Sequence, residues 1–103
     1  MAYKLVISKN ANENIDNIID YVVNNLYDLQ AARLILDDIE TAYKKLEDSA
    51  EIYALCNDSY LASKGYRKLL LDKHNYVILY QLVNNEVRIG GVFHTRENYV
   101  NKL

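Results

Sequence analysis

Two apolar runs at helical spacing, followed by three runs at strand spacing, constrain this chain more than any other feature. Ala11, Ile15, Ile18, Ile19, Val22 and Leu26 recur every three or four residues and would line one face of a helix. Ser8 or Asn10 can cap its start, and Asn10 with Glu13 has capping-box spacing. Asn24 and Asn25 loosen the pattern, and Asp28 can cap a second helix. Ala32, Ile35, Leu36, Ile39, Ala42, Tyr43 and Leu46 form the stripe of that helix. With so few residues between them, the two helices should close into an antiparallel hairpin.

Period-two patterning frames that hairpin. Tyr3-Lys-Leu-Val-Ile-Ser8 reads as a short strand, and Tyr66–Leu71, Tyr76–Val83 and Glu86–Phe93 read as three more. Residues 49–65 lose periodicity and read as an ordered connector with a helical turn, in which Ile52, Leu55 and Leu61 should be buried. Asp72-Lys-His-Asn75 makes one turn, with His74 in solvent, and Asn84-Asn85 suits a type I′ hairpin because Asn tolerates positive φ. Gly90 and Gly91 mark a β-bulge or a close backbone approach. Tyr76 and Tyr80 alternate with core aliphatics and should pack with their hydroxyls at the rim. The expected fold is α+β: an N-terminal strand, an antiparallel two-helix hairpin, then a three-stranded antiparallel sheet, in the order β-α-α-β-β-β. A single domain over residues 1–103 accommodates it, since no linker or repeat interrupts the chain.

Composition narrows the function classes. No apolar run approaches the length of a membrane span, and the first eight residues are too short and polar for a secretory signal. The single cysteine, Cys56, fits a reducing cytoplasm and reads as a small, half-buried hydrophobe. Residues 1–63 carry five basic against eleven acidic side chains, and residues 64–103 seven against three, so a net of −6 faces a net of +4. The basic half suits an anionic partner, although strong nucleic-acid binders are usually much more basic. Two histidines and one cysteine, scattered along the chain, argue against a metal site, and no phosphate-binding glycine loop points to a cofactor.

Chemistry concentrates at the end of the last strand, where His94, Arg96 and Tyr99 fall within six positions. Imidazole titrates near neutrality, guanidinium neutralises phosphate, and phenol moves protons. On the preceding strands, Arg67 and Lys68 should point to opposite faces, with Arg88 a further cation.

The order of elements resembles the RelE/ParE superfamily of bacterial toxins from type II toxin–antitoxin pairs. Tyr3–Ser8 with the helix start after it looks like the family's opening. Tyr66-Arg67 ahead of a strand that ends in an aliphatic-Tyr pair, Leu79-Tyr80, resembles its central hairpin. The ending, in which His94 and then Arg96 follow the last strand, is similar to the ParE branch, as is the long helical hairpin. The resemblance implies a growth-inhibiting cytoplasmic protein held silent by a cognate antitoxin encoded beside it. It implies DNA gyrase as the target for ParE-like members, and the ribosome with its mRNA for RelE-like ones.

For a RelE-like, metal-free nuclease, Lys68, His94, Arg96 and Tyr99 would be the catalytic set. The resemblance also marks two departures, because Val77 stands where a strand arginine is expected and Leu70 where a second lysine is expected. Loss of such a fixed charge typically costs on the order of 10²–10³ in rate. Arg67, Lys68, Arg88 and Arg96 would form the surface for antitoxin or target, with an amphipathic or extended partner segment across hairpin and sheet. The leading expectation is a ParE-like toxin acting by protein binding. A ribosome-dependent mRNA endonuclease is the alternative, and a detoxified antitoxin-binding homologue is a third.

Overall fold

A computed structural model describes residues 2–103. Strand β1 (Lys4–Ile7) leads into helix α1 (Lys9–Asn24) and, after four residues, helix α2 (Leu29–Ser49). A 3₁₀ turn (Ala50–Ile52) and a short helix α3 (Ser59–Ser63) precede β2 (Tyr66–Leu70), β3 (Tyr76–Val83) and β4 (Glu86–His94). The Ser8 hydroxyl caps α1 by accepting the Ala11 N–H at 3.0 Å, and the Asp28 carboxylate caps α2 by accepting the Ala31 N–H at 2.9 Å. Of the two cap residues the sequence offered, Ser8 is therefore the one used. No helix among the described residues is long and apolar enough to cross a membrane.

The three later strands form the antiparallel meander expected, and β1 adds a fourth by pairing parallel with β4, giving the order β1-β4-β3-β2. Register alternation assigns each side chain a face. Leu69, Leu71, Ile78, Tyr80, Val87, Ile89 and Val92 pack with Ile35, Ile39 and Leu46 of α2 in the main core. Cys56, Leu61, Val77, Leu79 and Phe93 form a second core on the opposite face, joined by Tyr66, Tyr99, Val100 and Leu103. A sheet covered on both sides explains the unbroken apolar run Val77–Tyr80.

The glycine pair makes the bulge. Leu79 sits opposite Gly91 and Tyr80 opposite Ile89, which leaves Gly90 as the extra residue. A Cβ on Gly90 would lie 3.0 Å from Cε1 of Tyr66 and 3.3 Å from Cδ2 of Leu103, so the bare backbone is what lets both side chains cross it.

Several local expectations are corrected. Tyr80 is fully buried, and its hydroxyl donates to the Ala50 carbonyl at 2.6 Å instead of reaching the rim. Ile52 and Leu55 are exposed, because the connector needs only Leu61 and Cys56 to reach the second core. Leu26 lies beyond the end of α1 and is exposed too. At the β3–β4 turn only Asn84 takes positive φ, at 57°, so the turn departs from type I′, which needs two such residues. His74 is no free turn residue, since its Nδ1 lies 2.8 Å from Oδ2 of Asp38, a carboxylate buried on α2.

Candidate functional site

The chain's last strand delivers its reactive side chains to different sides of the sheet. His94 faces Tyr76 across the β3–β4 ladder, on the helix side, and the two rings meet edge-on at 5.4 Å. Together they border a cleft of about 320 Å³ whose other wall is α1, through Asn14, Asn17, Ile18 and Tyr21. The Nδ1 of His94 accepts the Arg96 backbone N–H at 3.2 Å, so in the neutral ring the proton sits on Nε2. Burial, then the Glu97 carboxylate and Tyr21, raise the pKa of Tyr76 and keep it a neutral hydroxyl.

Tyr99 takes the other face. Its ring stacks on Phe93 at 5.5 Å and 15° and belongs to the second core. Burial, then Cys56 and Asp58, raise its pKa, which opposes use as a phenolate. Lys68 shares this face, opposite Leu79, with its backbone N–H donating to Ala54. Val77 is buried in the same core, and Leu70 is exposed beside it at the end of β2. Lys68 and Tyr99 are therefore brought to one face of the sheet and His94 to the other.

The remaining cations divide by what already holds them. Arg67 faces the helices, and its Nη1 donates to the Tyr53 carbonyl at 2.6 Å, fastening the connector to β2. Arg88 is paired with Glu86 at 3.0 Å. Arg96 is exposed and forms no ion pair among the described residues, and Glu97 pairs instead with Lys102 at 2.6 Å. Only Arg96 and Lys68 of the four predicted cations are left without an internal acceptor among the described residues.

Sequence reading missed the wall supplied by α1. Asn14 Oδ1 accepts the Val92 N–H at 3.1 Å, and Asn10 ties the Gly90 and Lys102 carbonyls together at 3.1 Å each. Their spacing beside the apolar stripe was the available signal, since Asn14, Asn17, Ile18 and Tyr21 recur as one helical face. Among the described residues, no group of three His, Cys, Asp or Glu side chains is placed to hold a metal ion.

A family model described as the ParE toxin of the type II toxin–antitoxin system parDE matches residues 5–99. Among solved structures, the chain is similar to one from the chromosomal ParDE toxin–antitoxin system of Pseudomonas aeruginosa. That match has a TM-score of 0.74 and 22% identity, over 90% of this chain and 96% of that one. It is also similar to a chain of the RelBE2 toxin–antitoxin complex of Mycobacterium tuberculosis, with a TM-score of 0.62 and 18% identity, over 91% and 99% of the two chains. At these identities the two structures speak for the fold alone. No curated protein sequence matches.

Proposed function

The chain belongs to the ParE toxin family of type II toxin–antitoxin systems, and from that premise we propose that it arrests growth in the cytoplasm by binding a protein target, DNA gyrase, and not by cutting RNA. The observation that carries this reading is the division of Lys68 and Tyr99 from His94 by the sheet itself. Metal-free RNA cleavage needs a base, an acid and a fixed cation converging on one phosphate. Here His94 lies on the face of the sheet away from Lys68, and Tyr99, which shares the lysine's face, is kept a neutral phenol by burial. Val77, in the position where a nuclease arginine is expected, is sealed in the second core.

A cognate antitoxin, encoded beside this chain, silences it. Lys68 and Arg96 are the cations left to receive acidic side chains of that partner or of the target. Arg67 and Arg88 serve the fold, through the Tyr53 carbonyl and Glu86. Purified chain should inhibit gyrase supercoiling in vitro, and antitoxin added in equal amount should relieve it. Normal supercoiling at saturating toxin overturns the reading.

A further inference from the structure

The helical hairpin ends in an exposed apolar tip that the fold does not use. Tyr27 is 86% exposed and Leu29 74%, with Leu26 and Leu34 exposed beside them. None of the four belongs to either core. The backbone of Tyr27 lies at φ 53°, a left-handed conformation that glycine or asparagine adopts far more easily than an aromatic residue. The loop around it is nonetheless held from both sides. The Asp28 N–H donates to the Val22 carbonyl at 3.2 Å, closing α1, while its carboxylate caps α2. An aromatic side chain is thus held out in water on a strained but well-anchored backbone, an arrangement that clusters at functional sites.

One cation marks the tip of an otherwise acidic hairpin. Residues 9–49 carry nine acidic against four basic side chains, and Arg33 is the only Lys or Arg between Lys9 and Lys44. That lone guanidinium sits at the tip, lining a shallow cleft of about 330 Å³ with Leu29, Gln30 and Leu34. It forms no ion pair among the described residues. Tyrosine and arginine are the residue types that dominate binding energy in protein interfaces, and the exposed leucines beside them add apolar area to bury.

We propose that Leu26, Tyr27, Leu29 and Leu34, with Arg33, form the surface that inserts into the toxin's protein target. The site that receives them is an apolar pocket bordered by a carboxylate. This rests on the protein-target reading above and adds the contact that reading lacks. It assigns the tip to the target and leaves the grooves and sheet to the antitoxin.

The test uses the full chain carrying Tyr27→Asn, Leu29→Gln or Arg33→Glu, with Tyr27→Phe as the conservative control. Growth arrest on induction, inhibition of gyrase supercoiling, antitoxin affinity, sedimentation and Tm are read for each. Tyr27→Asn should hold or raise Tm, because asparagine tolerates the left-handed backbone, and should leave antitoxin affinity unchanged. Growth arrest and gyrase inhibition should weaken at least about tenfold in the three variants and persist in Tyr27→Phe. Full potency in all three variants overturns the proposal. So does weakened antitoxin binding with potency retained, or a wild-type dimer that Tyr27→Asn dissolves, since each assigns the tip to another occupant. If the wild type arrests growth but leaves gyrase untouched, the gyrase reading fails alone. Loss of arrest in the variants then still supports the tip, and retention overturns it. A wild type that arrests nothing removes both.

Discussion

His74 Nδ1 lies 2.8 Å from Asp38 Oδ2, and the same oxygen accepts the Lys73 backbone N–H at 3.0 Å, so one buried carboxylate on α2 holds the turn between β2 and β3. Lys45 and Asp72, 2.6 Å apart, tie the same turn from the surface. Removing the Asp38 carboxylate would leave two donors facing a buried site. Asp38→Ala should therefore cost about 2–3 kcal/mol, and a chain of this size should lose roughly 10 °C or more in Tm. A thermal melt that shifts by less than a degree or two would contradict the assignment.

The same pair sets a pH dependence. Burial pushes the Asp38 carboxyl upward, but the hydrogen bonds from His74 and Lys73 outweigh it, and the folded-state pKa lies below the ordinary carboxylate value. A carboxyl whose pKa is depressed by folding stabilises the native state above its unfolded pKa, about 4, and loses that contribution as pH falls through the lower folded value. Stability of the wild type should drop on acidification below about pH 4 more steeply than that of Asp38→Asn. Parallel urea titrations at stepped pH would show it, and superimposable slopes would refute it.

Two tyrosines with buried hydroxyls should respond differently to losing them. Tyr80 donates to the Ala50 carbonyl at 2.6 Å, and Tyr80→Phe would orphan that carbonyl, at a cost of about 1–2 kcal/mol. Tyr43 has a buried hydroxyl with no partner among the described residues, and burial pushes its pKa to about 12. Tyr43→Phe discards an unpaired polar group and should be neutral or stabilise by up to about 1 kcal/mol. The denaturant midpoint of Tyr80→Phe should fall while that of Tyr43→Phe holds or rises, and an equal fall in both would refute the contrast.

How much of this was legible in the sequence depends on which interactions are local. The helical stripes, the Asp28 cap and the glycine bulge depend on spacing within one element, and they read correctly except at Leu26, beyond the end of α1, and Leu36, which is exposed on α2. Helix length and strand alternation likewise placed the elements to within a residue or two at most ends. What sequence could not show was covering. Tyr80 and Ile52 are both plausible core residues by type, yet only the packing of residues 50–63 against β2 decides that one is sealed and the other exposed. The candidate site failed to converge for a related reason. His94 and Tyr99 are five positions apart, but the end of β4 and the turn after it send them to opposite faces. Arg67 and Arg88 look like free cations along the sequence, and their partners, a connector carbonyl and Glu86, appear only in three dimensions.

The bulge itself makes a graded prediction. A Cβ on Gly91 would meet the Phe93 ring, with Cζ at 2.7 Å, whereas one on Gly90 would meet side-chain atoms of Tyr66 and Leu103 that can give way. Gly91→Ala should cost about 1–3 kcal/mol through overpacking, and Gly90→Ala clearly less. Because Tyr99 stacks on Phe93, Gly91→Ala should also shift the ring resonances of both. Equal stabilities for the two variants would count against this role for the bulge.

Tyr99 separates the two ways this fold can be toxic. If the chain cut RNA with the residues that resemble a nuclease set, the Tyr99 hydroxyl would take part in proton transfer, and Tyr99→Phe would lower activity by about 10²-fold or more. If the chain acts by binding a protein, the hydroxyl does nothing that the ring does not. The ring's stacking on Phe93 and its place in the second core survive the change. Growth arrest by Tyr99→Phe should then match the wild type within about twofold, the scatter expected of a substitution that leaves packing intact. Tyr99→Ala should weaken arrest by unfolding the C-terminal turn, visible as a lower Tm, so stability and toxicity would fall together. Toxicity lost in Tyr99→Phe with Tm preserved would reverse the conclusion and return His94, Arg96 and Lys68 to the role of catalytic candidates.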